Sequence, residues 1–112
     1  MYKYFLSNKA IDDLSKIWDN TYEVWSENQA DRYYYELLAN CQQLAENQNL
    51  GRKYTEIDME TNGYKSGQHI IFYRIINEVE IEIIRFLHSR MDLKTEFKNK
   101  TAVKSGLLQL SF

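Results

Sequence analysis

Two apolar stripes at helical spacing, parted by one capping signal, constrain this chain more than any other feature. Ala10, Ile11, Leu14, Ile17, Trp18, Tyr22 and Trp25 recur at steps of three and four, which lines one face of an α-helix. Ser7 stands where an N-cap belongs. Asp12, Asp13, Lys16, Asp19 and Glu23 fall on the other face, and Asp12 and Asp13 read there as solvated carboxylates, not as an acid/base pair. Ser26-Glu27-Asn28-Gln29 is a capping box that opens a second helix. Its stripe is Ala30, Tyr33, Tyr34, Leu37, Leu38, Cys41, Leu44 and Ala45. Two long helices joined by so short a turn fold back as an antiparallel hairpin. The helical pattern fails at Asn47-Gln48-Asn49, and Gly51 supplies the break.

The flanking segments read as strands. Tyr2-Lys3-Tyr4-Phe5-Leu6 is short and aromatic. After the hairpin, Lys53 to Met59 is a strand candidate and Thr61-Asn62-Gly63 a turn. Tyr64 to Gly67 leads into a strand over Gln68–Ile76, Asn77-Glu78 reverses the chain, and Val79–His88 returns. Val79, Ile81 and Ile83 alternate with Glu80 and Glu82, which places both glutamates on a wet face with no catalytic role. The order is β-α-α-β-β-β, an α+β fold in which a helix hairpin backs one face of an antiparallel sheet of about three further strands. Residues 1–98 form one domain. Residues 99–112 are a tail with a small apolar cluster at Leu107, Leu108, Leu110 and Phe112.

Composition narrows the function. At 112 residues with 44% apolar and 14% aromatic types, the chain has material for one core and little room for a second. The net charge of −2 excludes a wholesale polycation. Its distribution is uneven: residues 1–62 carry six Lys/Arg against eleven Asp/Glu, and residues 63–112 carry eight against five, net +3. Such polarity suggests different partners for the two halves. Lone Cys41 cannot form an internal disulfide and sits on the buried stripe, which fits an inert thiol in a reducing cytoplasm. Met1 to Leu14 has no apolar signal-peptide core, and runs such as Ile70–Tyr73 fall far short of the roughly 20 residues of a membrane helix. Two widely separated His and one Cys lack metal-ligand spacing. The glycines Gly51, Gly63, Gly67 and Gly106 match no phosphate loop. No cofactor is expected.

The basic residues Lys65, His69, Arg74, Arg85, His88 and Arg90 stand out on the sheet. Arginine inside an apolar strand is costly to desolvate without a partner. It is read either as half of a structural ion pair or as part of a cationic site for phosphate, nucleic acid or an acidic partner.

Together the motifs resemble the ParE branch of the RelE/ParE toxin family. Gly51-Arg52 follows two helices. The strand Gly67-Gln68-His69-Ile70-Ile71-Phe72-Tyr73-Arg74 is similar to a G-x-H-x-I-F-Y-R pattern. Arg85-Phe86-Leu87-His88-Ser89-Arg90-Met91-Asp92 matches a closing R-x-L-H-x-R-M-D. Leu6-Ser7, Ala10 to Leu14, Ile17-Trp18, Trp25, Gln29-Ala30 and Tyr33 extend the likeness, which spans roughly residues 4–97. Asn47-Gln48-Asn49-Leu50 replaces a loop that often holds Pro, and the tail beyond Lys100 exceeds the usual length of such toxins.

The resemblance implies a type II toxin that inhibits DNA gyrase and so replication, with growth arrest as the outcome. It also implies neutralisation by a cognate antitoxin, a ParD-like ribbon-helix-helix protein whose acidic or amphipathic C-terminal segment lies across sheet and hairpin. Lys65, Arg74, Arg85, His88 and Arg90 are then the target-binding candidates, with Arg85 alternatively a buried structural cation. Tyr22, Trp25 and Tyr73 are the candidates for antitoxin contact, although periodicity alone would bury Trp18 and Trp25. The alternative from the same resemblance is a RelE-like ribosome-dependent messenger RNA endoribonuclease. Cleavage through the 2′-OH needs a base, an acid and cations. Arg90 matches a shared cation and His88 is a possible base. The early Arg position falls near Ile70, however, and the late Tyr position holds Glu96 and Phe97.

Overall fold

A computed structural model describes residues 1–93, 96 and 97 of the protein; the proposed tail, 99–112, lies outside them. Helix α1 (Asn8–Val24) starts at Ser7, whose Oγ accepts the Ala10 N–H at 3.0 Å. Helix α2 (Glu27–Glu46) starts at Ser26, whose Oγ accepts the Gln29 N–H at 3.1 Å. Each cap satisfies one of the donors that a helix start leaves unpaired. Strand β1 (Lys3–Leu6) precedes the helices, and β2 (Arg52–Lys53), β3 (Asn62–Ser66), β4 (His69–Asn77) and β5 (Glu80–His88) follow.

The strands form one sheet in the order β1-β5-β4-β3-β2. The α+β architecture is as expected, but β1 runs parallel to β5 along Lys3–Leu6 and Glu80–Ile83. The other pairings are antiparallel. The helix hairpin returns the chain over one sheet face, so the first strand ends beside the last.

That face holds the main core: Ala10, Leu14, Ile17, Leu37, Cys41, Leu44 and Ala45 from the helices meet Ile71, Tyr73, Ile81, Ile83 and Phe86 from the sheet. Burial pushes the Cys41 thiol up to about 12, which agrees with an inert role. Ile70, Phe72 and Leu87 form a second cluster with Tyr54, Ile57, Ile84, Leu93 and Phe97. Alternation separates the two clusters along β4, and on β5 a bulge opposite Phe72 and Tyr73 shifts the phase, so that Ile81, Ile83 and Phe86 face the helices while Ile84 and Leu87 face away.

The segment between the helices and β4 departs from the sequence reading. Of the expected 53–59 strand only Lys53 is extended, paired with Arg52 before it in β2. Tyr54 to Thr61 coils instead, because the Asp58 carboxylate accepts the Glu60 N–H, the Thr61 N–H and the Thr61 hydroxyl at 2.8–2.9 Å. Local side-chain acceptors of this kind compete with ladder pairing. Asn62 and Gly63, expected in a turn, begin β3. A Cβ on Gly63 would collide with the Tyr54 ring, so this glycine provides clearance. The reversal sits at Gly67, whose φ of +62° suits glycine in a two-residue hairpin. At the next reversal Asn77 Oδ1 accepts the Val79 N–H at 2.9 Å.

Tyr73, expected in an antitoxin groove, is fully buried. Its hydroxyl donates to the Gln48 carbonyl at 2.7 Å and accepts the Gly51 N–H at 3.1 Å. It therefore ties the loop after α2 to the sheet and offers nothing to a partner. A Cβ on Gly51 would lie 2.6 Å from that hydroxyl. Tyr73→Phe leaves both backbone groups unpaired and is expected to cost about 1–3 kcal/mol in urea unfolding. Unchanged stability would refute this anchoring role.

Candidate functional site

The arginine in the apolar strand is one half of an ion pair. Arg85 Nε donates to Asp13 Oδ2 at 2.8 Å and Nη2 to Oδ1 at 3.1 Å, a two-point grip with side-chain exposures of 13% and 10%. Such forked pairs are stronger and more directional than single contacts. Asp13 Oδ2 also accepts the Phe86 N–H at 3.0 Å. That donor lies on the edge of β5 beyond the end of β1, where Ser7 already closes the ladder: its N–H donates to the Ile83 carbonyl and its Oγ to the Ile84 carbonyl. Arg85 Nη1 reaches Glu96 Oε1 at 3.5 Å. Asp13 is thus a buried partner, not a solvated carboxylate. Its position was readable, since it lies three residues after Ala10 and four before Ile17, inside the apolar stripe.

The remaining basic candidates separate. Arg74, half exposed, pairs with Glu82 at 2.7 Å. It borders a cleft of about 610 Å³ between β4, β5 and the 57–61 loop. Lys65 is exposed at the other end of the sheet, in register with Ile70. His69, His88 and Arg90 come together at that end. Arg90 is exposed and its side chain has no partner among the described residues. The +3 excess of residues 63–112 also resolves. Residues 63–93 hold four basic and four acidic groups, and the surplus belongs to Lys94, Lys98, Lys100 and Lys104. Charge is therefore balanced over residues 63–93.

A feature missed in the sequence binds His69. Tyr33 of α2 places its hydroxyl 2.7 Å from His69 Nδ1, 3.1 Å from the Gln68 nitrogen and 3.2 Å from the Ser66 carbonyl. A phenol has one proton and two lone pairs. All three contacts are used when His69 Nδ1–H and Gln68 N–H donate and the hydroxyl donates to Ser66. Burial, reinforced by the neighbouring His88, lowers His69 to about 4 despite opposing Asp13, so the ring is neutral near pH 7. The His69 and His88 rings meet edge to face at 5.3 Å.

Tyr33, His69 and His88 line a second cleft of about 360 Å³ with Ile17, Val24 and Trp25. Trp25 lies one residue past the end of α1 and is 72% exposed, so it escapes the core that periodicity assigned it. Trp18, half-buried, also lies outside both core clusters: it stacks on Tyr22 at 5.3 Å and donates its Nε1–H to Asp31. Tyr22 and Trp25 remain accessible; Tyr73 does not.

A family model described as the ParE toxin of the type II toxin–antitoxin system parDE matches residues 4–93. The chain is 38% identical over 91 residues to Toxin ParE1 of Mycobacterium tuberculosis, covering 81% of this chain and 93% of that protein. It is 35% identical over 94 residues to Toxin ParE1 of Caulobacter vibrioides, covering 84% and 96%. A solved chain from the chromosomal ParDE TA system of P. aeruginosa superposes with a TM-score of 0.67 over 79% of this chain and 96% of that one. At 20% identity this likeness concerns the fold.

Asp13→Ala strips both Arg85 and the Phe86 N–H of their acceptor, and urea unfolding is expected to show a loss of about 3–5 kcal/mol. Asp13→Asn retains an acceptor for Phe86 and should lose less. Equal stability of all three proteins would show that the pair is not structural.

Proposed function

Because this chain belongs to the ParE toxin family of type II toxin–antitoxin systems, we propose that it acts by binding DNA gyrase without turnover, with Arg90 as the leading contact. A cognate antitoxin silences it. The observation that carries this reading is the division of labour among the arginines. Arg85 and Arg74 are committed to Asp13 and Glu82, whereas Arg90 stands exposed where β5 ends. An arginine held by its backbone and open at its head suits a protein target, where arginine is among the usual anchor residues.

Binding without nuclease turnover is further supported at Ile70, the position near which the resemblance puts a phosphate-holding arginine. Ile70 is buried in the second apolar cluster and cannot hold a phosphate. Lys65 lies at the same end of the sheet and joins the target surface. Replication arrest then follows from the captured gyrase.

The antitoxin surface is the cleft edged by Trp25 together with Tyr22 on α1. The hairpin presents seven exposed carboxylates, Asp12, Asp19, Glu23, Glu27, Asp31, Glu36 and Glu46, against three exposed cations, Lys9, Lys16 and Arg32. An antitoxin segment lying there is therefore amphipathic with basic flanks; the acidic alternative would be repelled. A disordered segment that folds on docking fits such a groove.

Arg90→Ala tests the reading in a gyrase supercoiling assay with purified toxin. Inhibition is expected to weaken at least about tenfold, while unfolding stability stays within about 0.5 kcal/mol because the side chain is exposed. Undiminished inhibition would exclude Arg90 as the leading contact.

A further inference from the structure

The residues around Arg90 form a continuous chain of contacts back to the helix hairpin. Arg90 lies two residues past β5, so its direction depends on the turn His88–Met91. Three bonds set that turn. The Ser89 N–H donates to the Gln68 carbonyl at 2.9 Å, the Arg90 N–H to His88 Nδ1 at 3.1 Å, and the Met91 N–H to the His88 carbonyl at 2.9 Å. The His88 ring packs on His69, and His69 on Tyr33 with ring centres 5.6 Å apart. Gln68 is held from both sides, since its N–H donates to the Tyr33 hydroxyl and its carbonyl accepts from Ser89. Gly67 keeps the approach open, because a Cβ there would lie 2.7 Å from the Tyr33 ring.

We propose that His88 is a positioning residue: with Tyr33 and His69 behind it, its Nδ1 lone pair fixes the Arg90 backbone and so aims the guanidinium at its target. This rests on the reading of Arg90 as the target contact. An apolar side chain at 88 would fill the same space against His69, but only an acceptor at the δ position can hold the Arg90 N–H. The three rings also line the cleft beside Trp25. A partner that fills this cleft touches the device that aims Arg90, which gives antitoxin docking a direct route to the target surface.

The test compares His88→Asn, His88→Phe, Arg90→Ala and the double variant His88→Phe/Arg90→Ala in the supercoiling assay, with thermal unfolding alongside. Asn carries an acceptor oxygen on the same Cγ as the His Nδ1, whereas Phe keeps the ring and removes the acceptor. Inhibition by His88→Phe should fall about tenfold, like Arg90→Ala, and the double variant should fall no further, as expected for residues acting as one unit. His88→Asn should stay within about twofold of the parent. If His88→Phe does not fold, His88→Leu, which also lacks an acceptor at the δ position, serves in its place. Full inhibition by His88→Phe with a weakened Arg90→Ala would overturn the positioning role and leave the Arg90 reading intact. Equal losses in His88→Asn and His88→Phe would also overturn it. An undiminished Arg90→Ala would remove the reading on which it rests.

Discussion

The fold turns on one carboxylate. Asp13 holds the Arg85 guanidinium at two points and the Phe86 N–H at a third, joining α1 to the strand that carries the basic residues. Strand β1 covers β5 only as far as Ile83. Beyond it the backbone would present unpaired groups, and the helix supplies what another strand residue would have given. Burying a charge is costly unless it is paired and hydrogen-bonded, and here both conditions are met. The exposed Arg74–Glu82 pair has a different standing, because solvent screens it and such pairs contribute little.

This arrangement sorts residues of the same type into different roles. Arg85 belongs to the scaffold, Arg74 to a surface pair, and Arg90 to the exit of the strand. Glu96 extends the buried pair by one contact, and Leu93 and Phe97 pack on the second apolar cluster. The stretch after β5 is therefore tied to the sheet on both sides of Arg90. Rigid support under an exposed arginine limits the entropy lost when it engages a partner.

Much of this was legible in the sequence. Both helices and their caps followed from periodicity and two serines, and β4 and β5 from alternation about Asn77-Glu78. Arg85 was legible as an ion-pair candidate because nothing in an apolar strand favours an unpaired guanidinium. Its partner was not, because a carboxylate points to a wet face by type, although the register of Asp13 lies in the apolar stripe. Asn62-Gly63 has the form of a turn, yet tertiary clearance from Tyr54 was the reason for that glycine. The parallel placement of β1 leaves no periodic trace, since strand alternation is the same in either direction. Strand position buries Tyr73, against its expected place in a groove, whereas the end of α1 exposes Trp25, as contact with a partner requires and helical periodicity does not. Tyr33 looked like one more core aromatic, and only the fold brings its hydroxyl to His69.

On the proposed reading, the target meets this protein where β5 ends, not over the Arg74 cleft at the other end of the sheet. Photo-crosslinking decides it most directly. A benzophenone side chain is placed at Met91, 45% exposed beside Arg90, or at Met59, 78% exposed on the rim of the Arg74 cleft, and each toxin is irradiated with DNA gyrase. A covalent adduct to gyrase is expected from position 91 and none from position 59. An adduct from position 59 with none from position 91 would contradict that reading.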